Sequence, residues 1–247
     1  MPPRRRFPSL PELFLGLLAI AVAGVVMTHI LADTVREARR TRDTITVTGS
    51  AKKPISANLV RWSIAVSAEA PTAAPAARRL RRDSAVVRDY LKRGGIPAGA
   101  ISSSVVSSEK VVQRLSRRRQ RIRYRVTQVL EVSTRQIDAV EPVATRIGQL
   151  IERGIDVSAQ PLEYYSTELT QAKLDVLEAA TEDARRRAEI LVHGLGGKLG
   201  RMRASSLGVF QVVPRDSTEV SDYGINDTSS REKDATAVVS AKFAVKQ

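Results

Sequence analysis

The chain has 247 residues, with 40 Lys and Arg against 26 Asp and Glu, a formal net charge of +14 and no cysteine. The length suffices for one large domain or two small ones. The lack of cysteine excludes disulfides, thiolate metal sites and a cysteine nucleophile. The basic excess predicts attraction to an anionic lipid or cell-wall polymer, although arginine enrichment at tolerant surface positions of a GC-rich genome produces the same composition.

An apolar segment without formal charge occupies residues 13–32. A helix of this length spans ~30 Å, the thickness of a bilayer's hydrocarbon core. Arg4, Arg5 and Arg6 precede it, and the positive-inside rule then places the N-terminus in the cytoplasm. We therefore expect four parts: a cytoplasmic N-terminus (1–12), a transmembrane signal anchor (13–32), a juxtamembrane linker (33–43) and an exported domain (44–247).

The alternative for this segment is a cleaved signal peptide. The best cleavage position follows Ala32, but Ile30 stands where such a site needs a small residue. We therefore expect an uncleaved single-pass protein of the cytoplasmic membrane, with its C-terminal domain in the periplasm or extracytoplasmic space. Nucleic acid is not an expected partner there.

The first half of the exported part begins with alternating strands. Strands are predicted over 44–50 and 59–68, with Gly49 and the following AKKP run turning the chain between them. A helix then opens at Pro71 and Thr72 and ends at Gly94. Two further strands, 101–112 and 121–133, are expected to form a hairpin.

The second half contains two more helices. A helix is predicted over 136–153, followed by a strand over 160–165 and a long helix that reaches His193. A strand over 199–213, a polar loop over 214–233 and a last strand over 235–245 complete the chain. The order indicates the α+β class, with a mixed β-sheet and three main helices.

Apolar periodicity predicts which faces of these elements are buried. One face of the second strand carries Trp62, Ile64, Val66 and Ala68. The second helix has a stripe formed by Ile137, Val140, Ala144, Ile147 and Ile151. The stripe of the third helix comprises Leu169, Ala172, Val176, Ala180, Ala184, Ala188 and Leu191.

No motif for catalysis, cofactor binding or metal binding is present. His29 and His193 are the two histidines, and neither GxSxG nor HExxH occurs. We therefore expect no enzyme activity, cofactor or metal. A hydrolase that uses His193 or carboxylates is the least favoured alternative.

An arginine cluster is the most unusual polar feature. Arg117, Arg118 and Arg119 lie at the expected hairpin tip, and Arg119, Arg121, Arg123 and Arg125 alternate with other residues. Period two places the alternating guanidinium groups on one face of a strand. The cluster is either a solvated edge strand protected by charge, or a contact with lipid headgroups or with an acidic patch of a neighbouring subunit.

A polar segment, Ser217 to Ser230, is too long for a simple turn. It is either a flexible loop or an ordered contact between subunits. In the second case Tyr223 is the expected anchor, and Glu219, Asp222 and Asp227 are expected to meet basic neighbours.

Five stretches, in this order, resemble the SIMPL-domain (YggE-like) family of envelope proteins: Ile45–Ala70, Gly94–Ser102, Tyr124–Val132, Ala179–Gly200 and Gly208–Val245. The first contains the I-x-V-x-G opening. The fourth is similar to the family's helix, in which alanines and glycines recur at regular positions. The last resembles a branch that carries an STEVSDYGxxDTSS insert.

The resemblance implies an α+β envelope domain without established catalytic residues. It also implies ring-like homo-oligomers for some members and an association with oxidative-stress tolerance in bacteria. We therefore expect a non-enzymatic, membrane-anchored envelope protein whose main partner is itself. The alternative is a module that binds anionic lipid or cell-wall polymer through its arginine-rich strand.

Overall fold

The computed structural model describes residues 43–116, 119–217 and 223–246, together with Leu18 and Met27. The expected anchor over 13–32 therefore lies outside the described residues, apart from those two positions. Among the residues that are described, no helix is both long and apolar enough to cross a membrane.

The described residues confirm the α+β class. The strands are β1 (Thr44–Ser56), β2 (Leu59–Ala70), β3 (Ile101–Ser103), β4 (Ser107–Ser116), β5 (Arg119–Thr134), β6 (Asp156–Ala159), β7 (Glu163–Tyr165), β8 (Lys198–Leu207), β9 (Gln211–Pro214) and β10 (Glu232–Lys246). The helices are α1 (Ala73–Arg93), α2 (Ile137–Thr145), α3 (Gly148–Glu152) and α4 (Leu169–Gly194), and a short 3₁₀ turn covers Ala98–Ala100.

These strands form two sheets, where we expected a single mixed one. One sheet has the order β1-β10-β8 with β9 beside β10; the other has the order β3-β5-β2-β6, with β4 beside β5 and β7 beside β2. Each pair whose register is defined runs antiparallel. Neighbouring parallel strands need a long crossover connection. The connection through α1 leads from β2 to β3, but β3 pairs with β5 and not with β2.

The chain divides into two compact units, and the larger comprises Ser50–Ala180 and Gly208–Val238. Its core is the apolar face of β2, which packs together with α1, α2 and α3. Every second residue of β2 from Val60 to Ala70 is buried, which confirms the predicted face. The side chain of Trp62 belongs to this core, and its indole Nε1 donates to the carbonyl oxygen of Gln160 at 2.9 Å.

The described residues of the smaller unit fall within 43–49, 181–207 and 239–246. Its core joins Val47, Ala184, Ala188, Ala241 and Phe243. Ala184 and Ala188 of α4 are fully buried, and their small side chains allow close packing of the helix. The predicted stripe of α4 is wrong at Leu191, which is half exposed, because the four-residue spacing of the buried alanines continues to Val192 instead.

The helix predicted over 136–153 is broken into α2 and α3. Between them the amides of Arg146 and Ile147 donate three residues back, to the carbonyl oxygens of Val143 and Ala144, each at 3.2 Å. Such tight 3₁₀-type turns have fewer residues per turn than an α-helix. The following residues therefore rotate, and Leu150 is fully buried where we expected Ile151.

Several predicted strand boundaries also differ. β1 continues through the AKKP run, and the chain turns only after Ser56. The strand predicted over 101–112 is interrupted at residues 104–106, where Ser104 bonds Val129 through its amide and hydroxyl. The strand predicted over 199–213 breaks at Gly208, where a Cβ atom would lie 2.9 Å from the carbonyl oxygen of Val238.

Candidate functional site

A two-stranded ribbon formed by β4 and β5 projects beyond the rest of its sheet. The pairing between β2 and β5 ends at Ala70 opposite Tyr124, whereas β4 and β5 remain paired up to Ser116 opposite Arg119. From Arg123 to Arg119, therefore, β4 is the only described strand that pairs with β5. We call this part, residues 110–116 and 119–123, the β4–β5 ribbon.

One face of β5 carries the alternating arginines that the sequence singles out. Glu69 of β2 lies between two of them. Its carboxylate accepts from Arg125 Nε at 2.8 Å, and the other oxygen lies 3.3 Å from Arg123 Nε. One carboxylate thus faces two guanidinium groups. Arg121, farther along the same face, is exposed and lies opposite Gln113.

The opposite face of the ribbon carries an apolar pair. Val112 lies directly across from Ile122, and their side chains are 51% and 44% exposed. Lys110 and Arg114 flank Val112 on the same face of β4, because residues two apart share a face. The sequence from 110 to 123 contains no Asp or Glu. The ribbon is therefore basic on both faces and apolar at the centre of one.

Several residues of the expected contact set lie outside the described residues or are described only in part. Arg117, Arg118, Glu219 and Asp222 are outside them, and of Arg119 only the backbone is described. Tyr223, the expected anchor, is 99% exposed.

The part of the polar segment after Tyr223 is ordered by backbone pairing with β9. The amide of Val212 donates to the carbonyl oxygen of Ile225 at 2.7 Å, and the amide of Asp227 donates to that of Val212 at 2.9 Å. The carboxylate of Asp227 accepts from the amides of Ser229 and Ser230 at 3.0 and 3.1 Å. Asp227 is thus engaged within its own chain.

Burial alone would raise the pKa of Asp227, but the hydrogen bonds from Ser229 and Ser230 and the charge of Lys233 outweigh it and lower this pKa. Lys233 is almost wholly buried, and burial lowers its pKa although Asp227 opposes that effect. Its ammonium donates to the carbonyl oxygens of Tyr164 and Asp227 and lies 3.4 Å from the Asp227 carboxylate. These acceptors satisfy the ammonium, which favours a structural role over a nucleophilic one.

A second layer of polar contacts supports this lysine. The hydroxyl of Tyr164 donates to Glu141 at 3.0 Å, and the pKa of Tyr164 rises to about 12, first through burial and then through that hydrogen bond. Arg231 donates to Asp138 at 2.6 Å and lies 3.7 Å from Glu141. The network ties the polar segment to α2.

The sequence missed Lys233, Glu69 and the Val112–Ile122 pair. Lysine is rarely buried, and nothing in the local pattern of 214–233 signals that Lys233 is. The pairing of Glu69 with β5 and the match of Val112 to Ile122 depend on strand register. The alternation of charge in β5 did predict that its arginines share a face.

His193 is exposed near the end of α4. No group of three or more His, Cys, Asp or Glu residues within the described ranges could hold a metal ion. The most distinctive surface among those residues is therefore the basic ribbon.

Comparison with known protein families gives a match over most of the chain. The family described as "SIMPL: Protein of unknown function (DUF541)" matches residues 45–243, well over half of the chain. No curated protein matches the chain.

Proposed function

Because the chain belongs to the SIMPL family, whose function is unknown, we propose a function from its own surface. The protein is a non-enzymatic, membrane-anchored component of the cell envelope that self-assembles into a homo-oligomer through the β4–β5 ribbon. The observation that carries this proposal is the exposed Val112–Ile122 pair at the centre of that ribbon.

An exposed ribbon with apolar side chains is unfavourable in a monomer. A two-stranded hairpin is at best marginally stable alone, and an exposed apolar strand edge invites pairing. Full burial of a Val or Ile side chain stabilises by about 1.5–3 kcal/mol. About half of each side chain is exposed, so covering Val112 and Ile122 would contribute roughly 2 kcal/mol per ribbon.

In this proposal, the polar segment of a second copy, Ser217 to Ser230, covers the β4–β5 ribbon. Charge supports this choice, since the ribbon has no acidic residue between 110 and 123 and the segment supplies Glu219 and Asp222. Tyr223 is almost fully exposed, and tyrosine is enriched among the residues that dominate interface energies.

The anchor belongs to the proposal on sequence grounds. Residues 13–32 are uncharged and follow three arginines, which favours a single span with the folded part outside the cytoplasm. Alkaline extraction of membranes should leave the full-length chain in the pellet, and protease added outside spheroplasts should digest the folded part. Release of the chain by alkali would contradict the anchor alone.

Assembly is tested by measuring the particle mass of the full-length protein in mild detergent at micromolar concentration. We expect one large species for the wild type and a shift to monomer for Val112→Ser with Ile122→Ser. Met202→Ser with Leu207→Ser is the matched control, because these side chains in β8 are 54% and 70% exposed. A monomeric wild type would contradict the proposal, and so would a ribbon variant that assembles as fully as the wild type.

A second candidate function is binding of an anionic lipid or cell-wall polymer. It is favoured by Arg121, which extends the arginine face beyond the one carboxylate shared by Arg123 and Arg125. Substituting Ser for Arg119, Arg121, Arg123 and Arg125 should then abolish liposome binding and leave assembly intact. Binding that is insensitive to salt would argue against this function.

A link to stress tolerance rests on the family resemblance alone. A strain that lacks the protein is then expected to survive peroxide less well than its parent. Restoration by the wild type, but not by the Val112→Ser/Ile122→Ser variant, would connect that phenotype to assembly.

A further inference from the structure

We propose that a cleft at the C-terminal ends of α1, α2 and α3 binds a phosphate group. The cleft has a volume of about 210 Å³ and is lined by Arg93, Arg146, Arg153, Gln149, Tyr90 and Val143. It lies within the larger unit. This inference does not depend on the proposed function.

Two of the three guanidinium groups are oriented by their own helices. Arg93 Nε donates to the carbonyl oxygen of Asp89 at 3.2 Å, and Arg146 Nε donates to that of Pro142 at 3.0 Å. Each bond uses the Nε–H and leaves the two terminal amino groups available. Those groups form the planar fork that binds phosphate oxygens in pairs.

The positive charge of the cleft has no carboxylate partner within the described residues. None of Arg93, Arg146 and Arg153 lies within 4.0 Å of an Asp or Glu oxygen there, whereas other arginines of α1 and β5 do form such pairs. No described carboxylate therefore neutralises the positive charge of these three arginines in the cleft.

Helix ends offset only part of this charge. Arg93 is the last residue of α1, and Arg146 and Arg153 follow α2 and α3 directly. A helix C-terminus carries at most about half a negative charge, and α3 has only five residues. Even three full helix ends would leave a net charge of about +1.5 in the cleft.

The wall of the cleft is closely packed. The hydroxyl of Tyr90 donates to the carbonyl oxygen of Val143 at 3.0 Å. Gly94 lies so near α2 that a Cβ atom there would be 2.2 Å from Val143 Cγ2. The ends of α1 and α2 are therefore held together, and a site formed in advance loses less entropy when it binds.

The chemistry of the cleft selects phosphate over a single carboxylate. Three guanidinium forks can engage several oxygens of a dianion at once, whereas a carboxylate offers only two oxygens to one fork. The cleft is also open to solvent, so the phosphate could be free or attached to a larger molecule. Inorganic phosphate and a phosphomonoester share the recognised group.

Isothermal titration of the full-length protein with inorganic phosphate in 0.15 M NaCl tests this inference. We expect saturable binding at one site per chain. Arg93→Gln, Arg146→Gln and Arg153→Gln should each weaken binding about tenfold or more, because a hydrogen bond to a charged group is lost. The triple variant should show no binding.

The matched control is a triple variant with the same loss of charge, Arg186→Gln, Arg201→Gln and Arg203→Gln, at exposed positions of the smaller unit. It should bind phosphate like the wild type. The fluorescence of buried Trp62 reports whether each variant is folded. If the triple variant does not fold, the three single variants are compared with the wild type instead.

A second titration with glycerol 3-phosphate identifies the source of the phosphate group. Binding as tight as that of inorganic phosphate supports a ligand that carries the group at its end; binding of inorganic phosphate alone supports free phosphate. The inference is overturned if the wild type shows no saturable binding, or if the control triple variant loses as much affinity as the cleft variants.

Discussion

The ammonium of Lys233 donates to the carbonyl oxygen of Tyr164 at 3.0 Å, although only 1% of the residue is exposed. A buried cation is costly unless it is paired and hydrogen-bonded. Here the same ammonium also meets the carbonyl and the carboxylate of Asp227. One lysine thus joins β7 to the polar segment, which positions the residues that follow Tyr223.

Replacement of Lys233 by Met should reduce the free energy of unfolding by about 3 kcal/mol, because the largely buried Asp227 carboxylate then loses the positive charge that faces it. Urea unfolding followed by Trp62 fluorescence measures this loss. Lys92→Met is the control, and it should change stability by less than about 1 kcal/mol because Lys92 is exposed at the end of α1. Equal effects of the two changes would contradict the role of Lys233.

Alkaline pH should weaken the fold through Tyr164. Its pKa is raised from 10.0 to about 12 in the folded chain, so the folded state keeps a proton that the unfolded state has already lost between these values. This contribution to stability is complete below pH 10 and disappears as the pH rises toward 12.

The free energy of unfolding, measured at several pH values across that window, should therefore fall more steeply for the wild type than for Tyr164→Phe. The Phe variant cannot ionise, and it also loses the hydrogen bond to Glu141. Parallel curves for the two proteins would show that Tyr164 does not titrate in this way.

The break between α2 and α3 predicts opposite outcomes for two adjacent residues. Leu150 is fully buried and Ile151 is 58% exposed. Leu150→Ala should destabilise the protein by about 2–5 kcal/mol, as expected for a buried leucine, whereas Ile151→Ala should change stability by less than about 0.5 kcal/mol. Chemical unfolding of both variants provides the comparison, and a larger loss for Ile151→Ala would favour the single straight helix.

Gly94 and Val143 should be energetically coupled. Gly94→Ala places a Cβ atom 2.2 Å from Val143 Cγ2, and overpacking of this kind costs about 1–3 kcal/mol. The φ of Gly94 is −76°, so alanine fits the backbone and the cost is steric. In a double-mutant cycle, Val143→Ala should relieve most of the cost of Gly94→Ala. Additive effects would show that the two helices do not meet there.

Local patterns in the sequence determined the class of the fold and the faces of its most regular elements. The alternation in β2 and, as far as Ala188, the periodicity of α4 predicted the buried faces correctly, since a strand repeats every two residues and a helix every 3.6. The same alternation placed Arg121, Arg123 and Arg125 on one face of β5. The order of five family motifs likewise led to the SIMPL family.

Only the tertiary structure decided features that depend on partners far apart in the chain. The pairing of Glu69 with Arg125 and of Val112 with Ile122 requires the register of β5 against two strands. The burial of Lys233 requires acceptors from residues 164 and 227. The arginine cleft requires three helix ends to meet. Local sequence does not encode these distances, because the groups belong to elements that are far apart in the chain and meet only through long-range packing.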